Sequence, residues 1–429
     1  MEFILHISAI IRIFLVFVFI LICIRKHLSL GNAFLMGAIF LGVLFGLGPK
    51  AMGSTAVLSV IYPKTLLLAI IVSLILILSS SMESAGQMKR LLTNFQGLIS
   101  NPRINLVVFP ALIGLLPMPG GAIFSAPMVK ELGKDTSLGP DMLSFINYWF
   151  RHIWECWWPL YPGVLLAVML ADINLWTFIT VMFPLTIVLF SFGYLPVKEL
   201  NQSNSLQDSK EHSSVVPFVT ELTPILIVIF VGLGIGMVLS FVFPEFTVSK
   251  ETGLIIALCI ATTWIWRKNA FSGTQIRKIL FDPHILSMMY MVIAIFVFKG
   301  MMEGSRAVEA ISNELRMLHV PLILIVMALP FLVGGVVGIT VAFVGTTFPI
   351  IIPLIHSFGE AQFIMAYIML AIGSGFIGVL LSPLHICLPL SNQYFGTSLT
   401  AVYKHLWLPS LCFIASGFVY FWILRWLLL

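Results

Sequence analysis

Long apolar runs separated by short polar stretches follow one another along this chain of 429 residues. A helix needs about 20 mostly apolar residues to cross a bilayer. The runs therefore predict transmembrane helices, five in each half of the chain, at 3–24, 30–48, 62–82, 141–170, 174–195, 219–243, 251–266, 282–302, 361–388 and 405–427.

Two further apolar segments, 104–130 and 320–356, are interrupted by helix-breaking residues. The first contains Pro117-Met118-Pro119-Gly120-Gly121, and the second contains Gly334-Gly335 and Gly338, followed by Gly345 to Pro349. Interrupted backbone is tolerated at membrane depth only where protein or a wet cavity surrounds it. Both segments are therefore predicted to form re-entrant hairpins. An amphipathic stretch precedes each hairpin, at 84–100 and 304–317, and is typical of a helix in the membrane interface.

The interruptions recur at a constant offset of 220 residues. The matched positions are helix breakers and a carboxylate, namely Pro63 with Pro283, Glu83 with Glu303, Pro110 with Pro330 and Gly114 with Gly334. The offset predicts two repeats, 1–197 with hairpin 104–130 and 217–429 with hairpin 320–356, joined by a polar linker at 198–216.

Because five spans per half is an odd number, the two repeats have opposite orientations. With the N-terminus outside, most Lys and Arg residues of the loops fall on the cytoplasmic side, as the positive-inside rule expects. The predicted fold is an all-α polytopic membrane protein of about ten transmembrane helices and two re-entrant hairpins in an inverted repeat. Repeats of this kind place a substrate site where their interrupted helices meet.

Composition agrees with a membrane protein and excludes several other classes. The chain is 59% hydrophobic and 10% charged, whereas a soluble domain carries about 25% charged residues. The net charge of +5 comes without a basic block, so nucleic-acid binding is not expected. The five cysteines lie in apolar stretches without a C-x-x-C pair and are interpreted as small hydrophobic residues, with no metal and no cofactor predicted. Neither an ATP-binding loop nor an H-E-x-x-H motif is present, and no enzyme is predicted.

The hairpin tips supply the first candidate binding residues. In the first hairpin they are Pro119, Gly120, Gly121 and Ser125, and in the second Gly338, Thr340, Thr346 and Thr347. Glycine lets the backbone approach a ligand closely, and the half-helix that follows presents an N-terminus that attracts anions. The alternative is that these small residues only let helices pack closely.

The long spans after the hairpins supply the second set. Span 141–170 contains Arg151, His152, Glu155 and Tyr161, and span 361–388 and its continuation contain Ser382, His385 and Asn392. Spacings of three and four place the first three on one helix face. Ionisable groups inside spans usually face a cavity or one another, so Arg151 is predicted to pair with an anion and His152 or Glu155 to titrate. The alternative is a structural Arg–Glu pair within an interfacial belt formed by Trp149, Trp154, Trp157 and Trp158.

Glu83 and Glu303, which each close a span, form the third set. Lys299 lies one turn before Glu303 and is a natural partner for it. Two interpretations remain open for these three residues, solvated interfacial charges or a proton relay.

The segments 117–127, 149–155 and 382–387 resemble an uncharacterised prokaryotic integral-membrane family within the ion transporter superfamily of citrate, gluconate, dicarboxylate and arsenite permeases. The resemblance implies a multi-pass protein of the prokaryotic cell membrane, and by analogy a homodimer that moves its solute by an elevator motion. The Ser-Asn-Thr motif of the divalent-anion members is replaced here by Met118-Pro119-Gly120 and Thr340-Val341-Ala342. Their sodium ligands therefore do not carry over.

Together these features predict a secondary active transporter of a small anionic solute, such as an organic carboxylate, coupled to H⁺ or Na⁺. The main alternative is a cation/proton antiporter without an organic substrate, and an intramembrane enzyme is a remote one. The lipid bilayer and the solute are the partners expected.

Overall fold

The computed structural model describes residues 7–95, 98, 101–118, 120–134, 136–198, 215–243, 245–246 and 248–428. Within these ranges the chain is helical and contains no strand. The helices, in chain order, are α1 (Ala9–Arg25), α2 (Leu30–Leu44), α3 (Pro49–Ile61), α4 (Pro63–Ser84), α5 (Gln87–Phe95), α6 (Pro102–Ile113), α7 (Ala122–Gly133), α8 (Pro140–Arg151), α9 (Pro162–Ala171), α10 (Leu175–Lys198), α11 (Val215–Val242), α12 (Ser249–Lys268), α13 (Gly273–Leu280), α14 (Pro283–Gly304), α15 (Ala307–Met317), α16 (Leu322–Val337), α17 (Thr340–Ser357), α18 (Ile364–Leu380), α19 (Cys387–Phe395) and α20 (Leu399–Leu427).

The long apolar helices confirm an all-α polytopic membrane protein. Among the described residues, seven helices are long and apolar enough to cross a bilayer, fewer than the ten predicted, because several runs form shorter helices. Helix α18 is almost entirely buried, whereas α20 exposes large apolar side chains such as Trp407, Leu411 and Trp422. A soluble protein rarely leaves such a surface in water, and a lipid-facing helix requires it.

The second half repeats the helix starts of the first half. Helices α4, α5 and α6 begin at Pro63, Gln87 and Pro102, and α14, α15 and α16 each begin 220 residues later. Proline starts α4 and α14 because its missing N–H is not needed in a first turn. The opposite membrane orientation of the repeats stays a prediction, and residues 199–214 of the predicted linker lie outside the described residues.

Both hairpins are interrupted, but the second differs from its prediction. The chain leaves the helix between α6 and α7, and again at Gly338 and Ile339 between α16 and α17. The expected interruption from Gly345 to Pro349 is absent, since these residues lie inside α17. A Cβ at Gly345 would lie 2.5 Å from a side-chain atom of Ile295, so this glycine provides close helix packing instead of a turn.

Each long span also breaks, next to Pro162 in the first and Pro383 in the second. Residues 152–161 separate α8 from α9, and residues 381–386 separate α18 from α19. Two short helices, α3 and α13, were not predicted because their mixed sequences lack a long apolar run.

Helix α15 ties the start of the chain to the second half. The Glu314 carboxylate accepts hydrogen bonds from the Ser8 hydroxyl at 2.5 Å, from the Ala9 N–H at 2.6 Å and from the Ile10 N–H at 3.0 Å. These N–H groups have no partner within α1, because the first turn of a helix lacks carbonyls for them. A carboxylate of the second half therefore caps the first helix.

Candidate functional site

All four interruptions of the chain meet at one buried place. Arg151, at the end of α8, donates from Nη2 to the Met118 carbonyl of the first hairpin at 2.6 Å. Thr340, which begins α17 after the break of the second hairpin, donates to Glu155. His385, in the break before α19, lies 2.8 Å from the Gly338 carbonyl and 3.0 Å from His152. These contacts bring residues of both hairpins and of both broken spans together.

Arg151 is a buried cation with unused donor capacity. Its side chain is 3% exposed, and its Nε has no hydrogen-bond partner. Its other contact, from Nη1 to His152 Nε2, is long at 3.4 Å. Gly121 makes room for it, because a Cβ there would lie 2.2 Å from Nη2. The guanidinium is therefore held by one carbonyl and offers a free N–H inside the protein.

His152 and His385 face each other through the same ring atom. His152 Nδ1 lies 2.6 Å from the Tyr148 carbonyl, and His385 Nδ1 lies on the Gly338 carbonyl, so both Nδ1 atoms are assigned as donors. The two Nε2 atoms then face each other at 3.0 Å. A hydrogen bond at that distance requires one proton between them, because two lone pairs repel. The pair has the geometry to share one proton, or to bind another cation, between the two halves of the chain.

Cys387 completes this cluster and was missed by the sequence interpretation. Its Sγ and one ring nitrogen from each imidazole all lie within 4.8 Å of one another. The residue is buried and begins α19. The interpretation of all five cysteines as small hydrophobic residues did not single out Cys387, which the structure places against two imidazoles. The only local signal was its position two residues after His385 in a helix break.

Glu155 lies beside the imidazoles but does not pair with Arg151. Its Oε2 is 3.9 Å from His152 Nε2, and its Oε1 accepts the Thr340 hydroxyl. The predicted shared helix face of Arg151, His152 and Glu155 is wrong because α8 ends at Arg151. The turn that follows still brings the three residues together.

Aromatic side chains of the first break fasten the first hairpin. Trp154 donates to the Ala111 carbonyl, Trp158 to that of Leu115 and Tyr161 to that of Gly114, at 2.7 to 2.9 Å. These carbonyls lie in the last turn of α6 or just after it, where helical partners run out. Trp149 is buried and bonds to Leu189. The alternative of an interfacial tryptophan belt stays open, and Tyr161 has a structural contact.

A second buried polar network lies between α7, α8 and α19. Ser125 donates to Asn147 at 2.6 Å, and Ser144 lies 2.6 Å from Asn392 and 3.0 Å from Ser391. Asn147 also donates to the Ala122 carbonyl and to Ser391. Ser125 and Asn392 were predicted site residues, and the structure places them here instead of beside Arg151.

The other hairpin candidates divide between backbone and packing roles. Gly120 and Gly338 adopt positive φ, at 70° and 71°, which glycine tolerates without strain. Thr346 and Thr347 bond to carbonyls of their own helix, and Ser382 caps the Leu384 N–H. Pro119 lies outside the described residues.

The proposed proton-relay residues lie apart from the cluster. Glu83 is exposed, and Lys299 pairs with Glu303 at 3.9 Å as predicted. Lys299 and Glu303 line a separate cavity of about 470 Å³ together with Arg306, Glu309 and His356. Their relay role stays a prediction.

Comparison with known proteins assigns the chain to a family but does not assign a function to it. No curated protein matches it. The predicted membership of an uncharacterised family is confirmed, whereas the link to the ion transporter superfamily stays a prediction. The model of the family described as "Protein of unknown function (DUF401)" matches residues 6–424, and the chain belongs to that family.

Proposed function

We propose that the protein is a secondary active transporter of a small anionic solute, such as an organic carboxylate, in the prokaryotic cell membrane. The observation that supports this most directly is Arg151, a buried guanidinium with an unpartnered Nε at the junction of four chain breaks. Leaving a charge-bearing donor unsatisfied in the interior is costly, and an anion with two oxygens removes that cost.

The surroundings of Arg151 also favour negative charge. Helix α7 begins at Ala122, shortly after Met118, whose carbonyl accepts from Arg151. Helix α17 begins at Thr340, which donates to Glu155. Unpaired N–H groups give a helix N-terminus a partial positive charge that attracts anions. A proton shared between the imidazoles would add a further positive charge, whereas Glu155 is the carboxylate that the described residues place beside His152.

Coupling to H⁺ or Na⁺ is part of the proposal. The imidazole pair supplies a place for a proton. The network of Ser125, Ser144, Asn147, Ser391 and Asn392 supplies neutral oxygen atoms of the kind that hard cations prefer. The fold implied by the superfamily, with two inverted repeats and interrupted helices, supports transport by alternating access.

Uptake into proteoliposomes tests the proposal. A panel of carboxylates is first screened for stabilisation of the detergent-purified protein, since a carrier is stabilised by its own solute. Uptake of the stabilising solute is then measured under a pH gradient and, separately, under a Na⁺ gradient. We expect the Arg151→Gln variant to lose uptake, because it removes the anion's partner.

The Arg12→Gln variant is the matched control. Arg12 is also buried and donates to a carbonyl, that of Leu44 at 3.2 Å, but it lies in α1. Full uptake by Arg151→Gln would contradict the proposed role. Exchange driven by Na⁺ and a pH gradient alone, with no solute moved, would replace the proposal with a cation/proton antiporter.

A further inference from the structure

We propose that His152, His385 and Cys387 form a binding site for one divalent transition-metal ion of the class of Zn²⁺. The three groups come from both halves of the chain and are all buried. This inference does not depend on transport, and it concerns a ligand chemically opposite to the anion proposed for Arg151.

The two imidazoles already have the orientation of metal ligands. A histidine that binds a metal through one ring nitrogen usually donates the other N–H to a carbonyl or carboxylate, which fixes the ring. His152 and His385 both meet this condition, through the carbonyls of Tyr148 and Gly338. Their Nε2 lone pairs consequently point at a common place.

The spacing of the ligand atoms fits a small tetrahedral ion. Zinc–nitrogen bonds of about 2.05 Å in tetrahedral geometry hold two nitrogens about 3.3 Å apart. The two Nε2 atoms are 3.0 Å apart, and the Cys387 sulfur lies within 4.8 Å of a nitrogen of each ring. An ion placed between them needs only a small outward shift of the rings.

The donor set selects the class of ion. Two imidazoles and a thiolate suit Zn²⁺, Co²⁺ and similar ions, whereas Mg²⁺ and Ca²⁺ prefer oxygen ligands. Glu155, whose Oε2 lies 3.9 Å from His152 Nε2, can fill a fourth position.

Charge balance permits the exchange. A divalent ion bound here replaces the proton between the imidazoles and the proton of the thiol, so two positive charges leave as two arrive. Metal binding to thiols and imidazoles generally releases protons in this way. The net charge of the cluster is therefore unchanged when the metal binds.

Arg151 limits the affinity. Its Nη1 lies 3.4 Å from His152 Nε2, so a bound cation meets a like charge. The guanidinium has a stronger partner in the Met118 carbonyl at 2.6 Å, and the imidazole lone pair is therefore accessible to a metal. We expect Arg151→Gln to tighten metal binding while it abolishes anion uptake, which separates this inference from the proposed function.

Cobalt spectroscopy on the detergent-purified protein, prepared without a histidine tag, tests the site. Stoichiometric Co²⁺ is expected to give a thiolate-to-cobalt charge-transfer band in the near ultraviolet and tetrahedral d–d bands, and Zn²⁺ is expected to abolish both. Cys387→Ser is expected to remove the charge-transfer band. His152→Ala and His385→Ala should weaken Co²⁺ binding by more than the roughly 10- to 100-fold that loss of an outer-shell partner costs.

Cys156→Ser is the matched control, because Cys156 is buried and adjacent to Glu155 but does not belong to the cluster. It should keep the full spectrum. Absence of the band in the wild-type protein, or its persistence in Cys387→Ser, would overturn the proposal, and neither result depends on whether the alanine variants fold. The His385→Asn variant, closer in size to histidine, repeats the test if His385→Ala unfolds.

Discussion

Replacing Gly121 by alanine displaces Arg151 without disturbing the backbone. Gly121 has φ −55° and ψ −16°, which alanine adopts freely. The added Cβ would lie 2.2 Å from Arg151 Nη2, 2.7 Å from Nε and 2.8 Å from Cζ. Since these atoms are the far end of a flexible side chain, the guanidinium must move while the helix stays.

The expected loss follows from the contact that breaks. A displaced guanidinium loses its 2.6 Å hydrogen bond to the Met118 carbonyl and its orientation toward a bound anion. A hydrogen bond to a charged group contributes about 1.5–3 kcal/mol. If that contribution is lost from solute binding, the KM for uptake rises about 10- to 150-fold, since 1.4 kcal/mol is a factor of ten.

The assay is the concentration dependence of solute uptake into proteoliposomes, with thermal unfolding in detergent as a measure of folding. Gly53→Ala is the control, because a Cβ there meets nothing within 4 Å. It should leave KM unchanged. A KM for Gly121→Ala within twofold of the wild-type value, in a folded protein, would refute the argument that Gly121 exists to admit Arg151.

Three further predictions concern stability. Gly338→Ala should lower the free energy of unfolding by more than about 1 kcal/mol, because it puts a side chain at φ +71° and a Cβ 2.8 Å from the His385 backbone nitrogen. Thermal unfolding checks this against Gly335→Ala, where the atom nearest to the added Cβ is 3.7 Å away. Equal unfolding midpoints for the two variants would contradict the prediction. Tyr161→Phe should cost about 1–3 kcal/mol by unpairing the Gly114 carbonyl, whereas Tyr290→Phe, which loses an exposed bond to Asn32, should cost little in the same measurement. Burial opposes ionisation of Glu314, but hydrogen bonds from Ser8, Ile10 and Ala9 outweigh it and lower the pKa below the ordinary 4.5. The stabilisation by ionised Glu314 is therefore complete above about pH 4.5 and is lost as pH falls through the lower folded-state pKa. Glu314→Gln should consequently lower the unfolding midpoint at pH 7 and make little difference at strongly acidic pH. An equal effect at both pH values would be inconsistent with this linkage.

Much of the helical framework follows from local sequence. Proline and glycine act over one turn of chain, so the breaks near Gly121, Pro162, Gly338 and Pro383 were predictable from their positions. Gly345 shows the limit of that argument, since a glycine that packs against Ile295 has the same sequence signature as one that breaks a helix.

The chemistry of the site depends on contacts that spacing does not contain. His152 and His385 are 233 residues apart, and neither half alone contains a metal-ligand pattern. Arg151 and Glu155 have the spacing of a helical ion pair, yet the helix ends between them, and each residue finds a different partner. Cys387 becomes a functional candidate only when the fold places it against two imidazoles from opposite halves.

The contact between the two histidines joins residues that are 233 positions apart, so it can form only late in synthesis. Chains are synthesised from the N-terminus, and the first half emerges first. Arg151 finds the Met118 carbonyl within that half, so its strongest bond is available early. The partners of Glu155 and His152, which are Thr340 and His385, are synthesised later, and Cys387 is the last residue of the cluster to be made. A chain released early would leave Glu155 and His152 without these partners, and the cluster is complete only when synthesis of the chain is nearly finished.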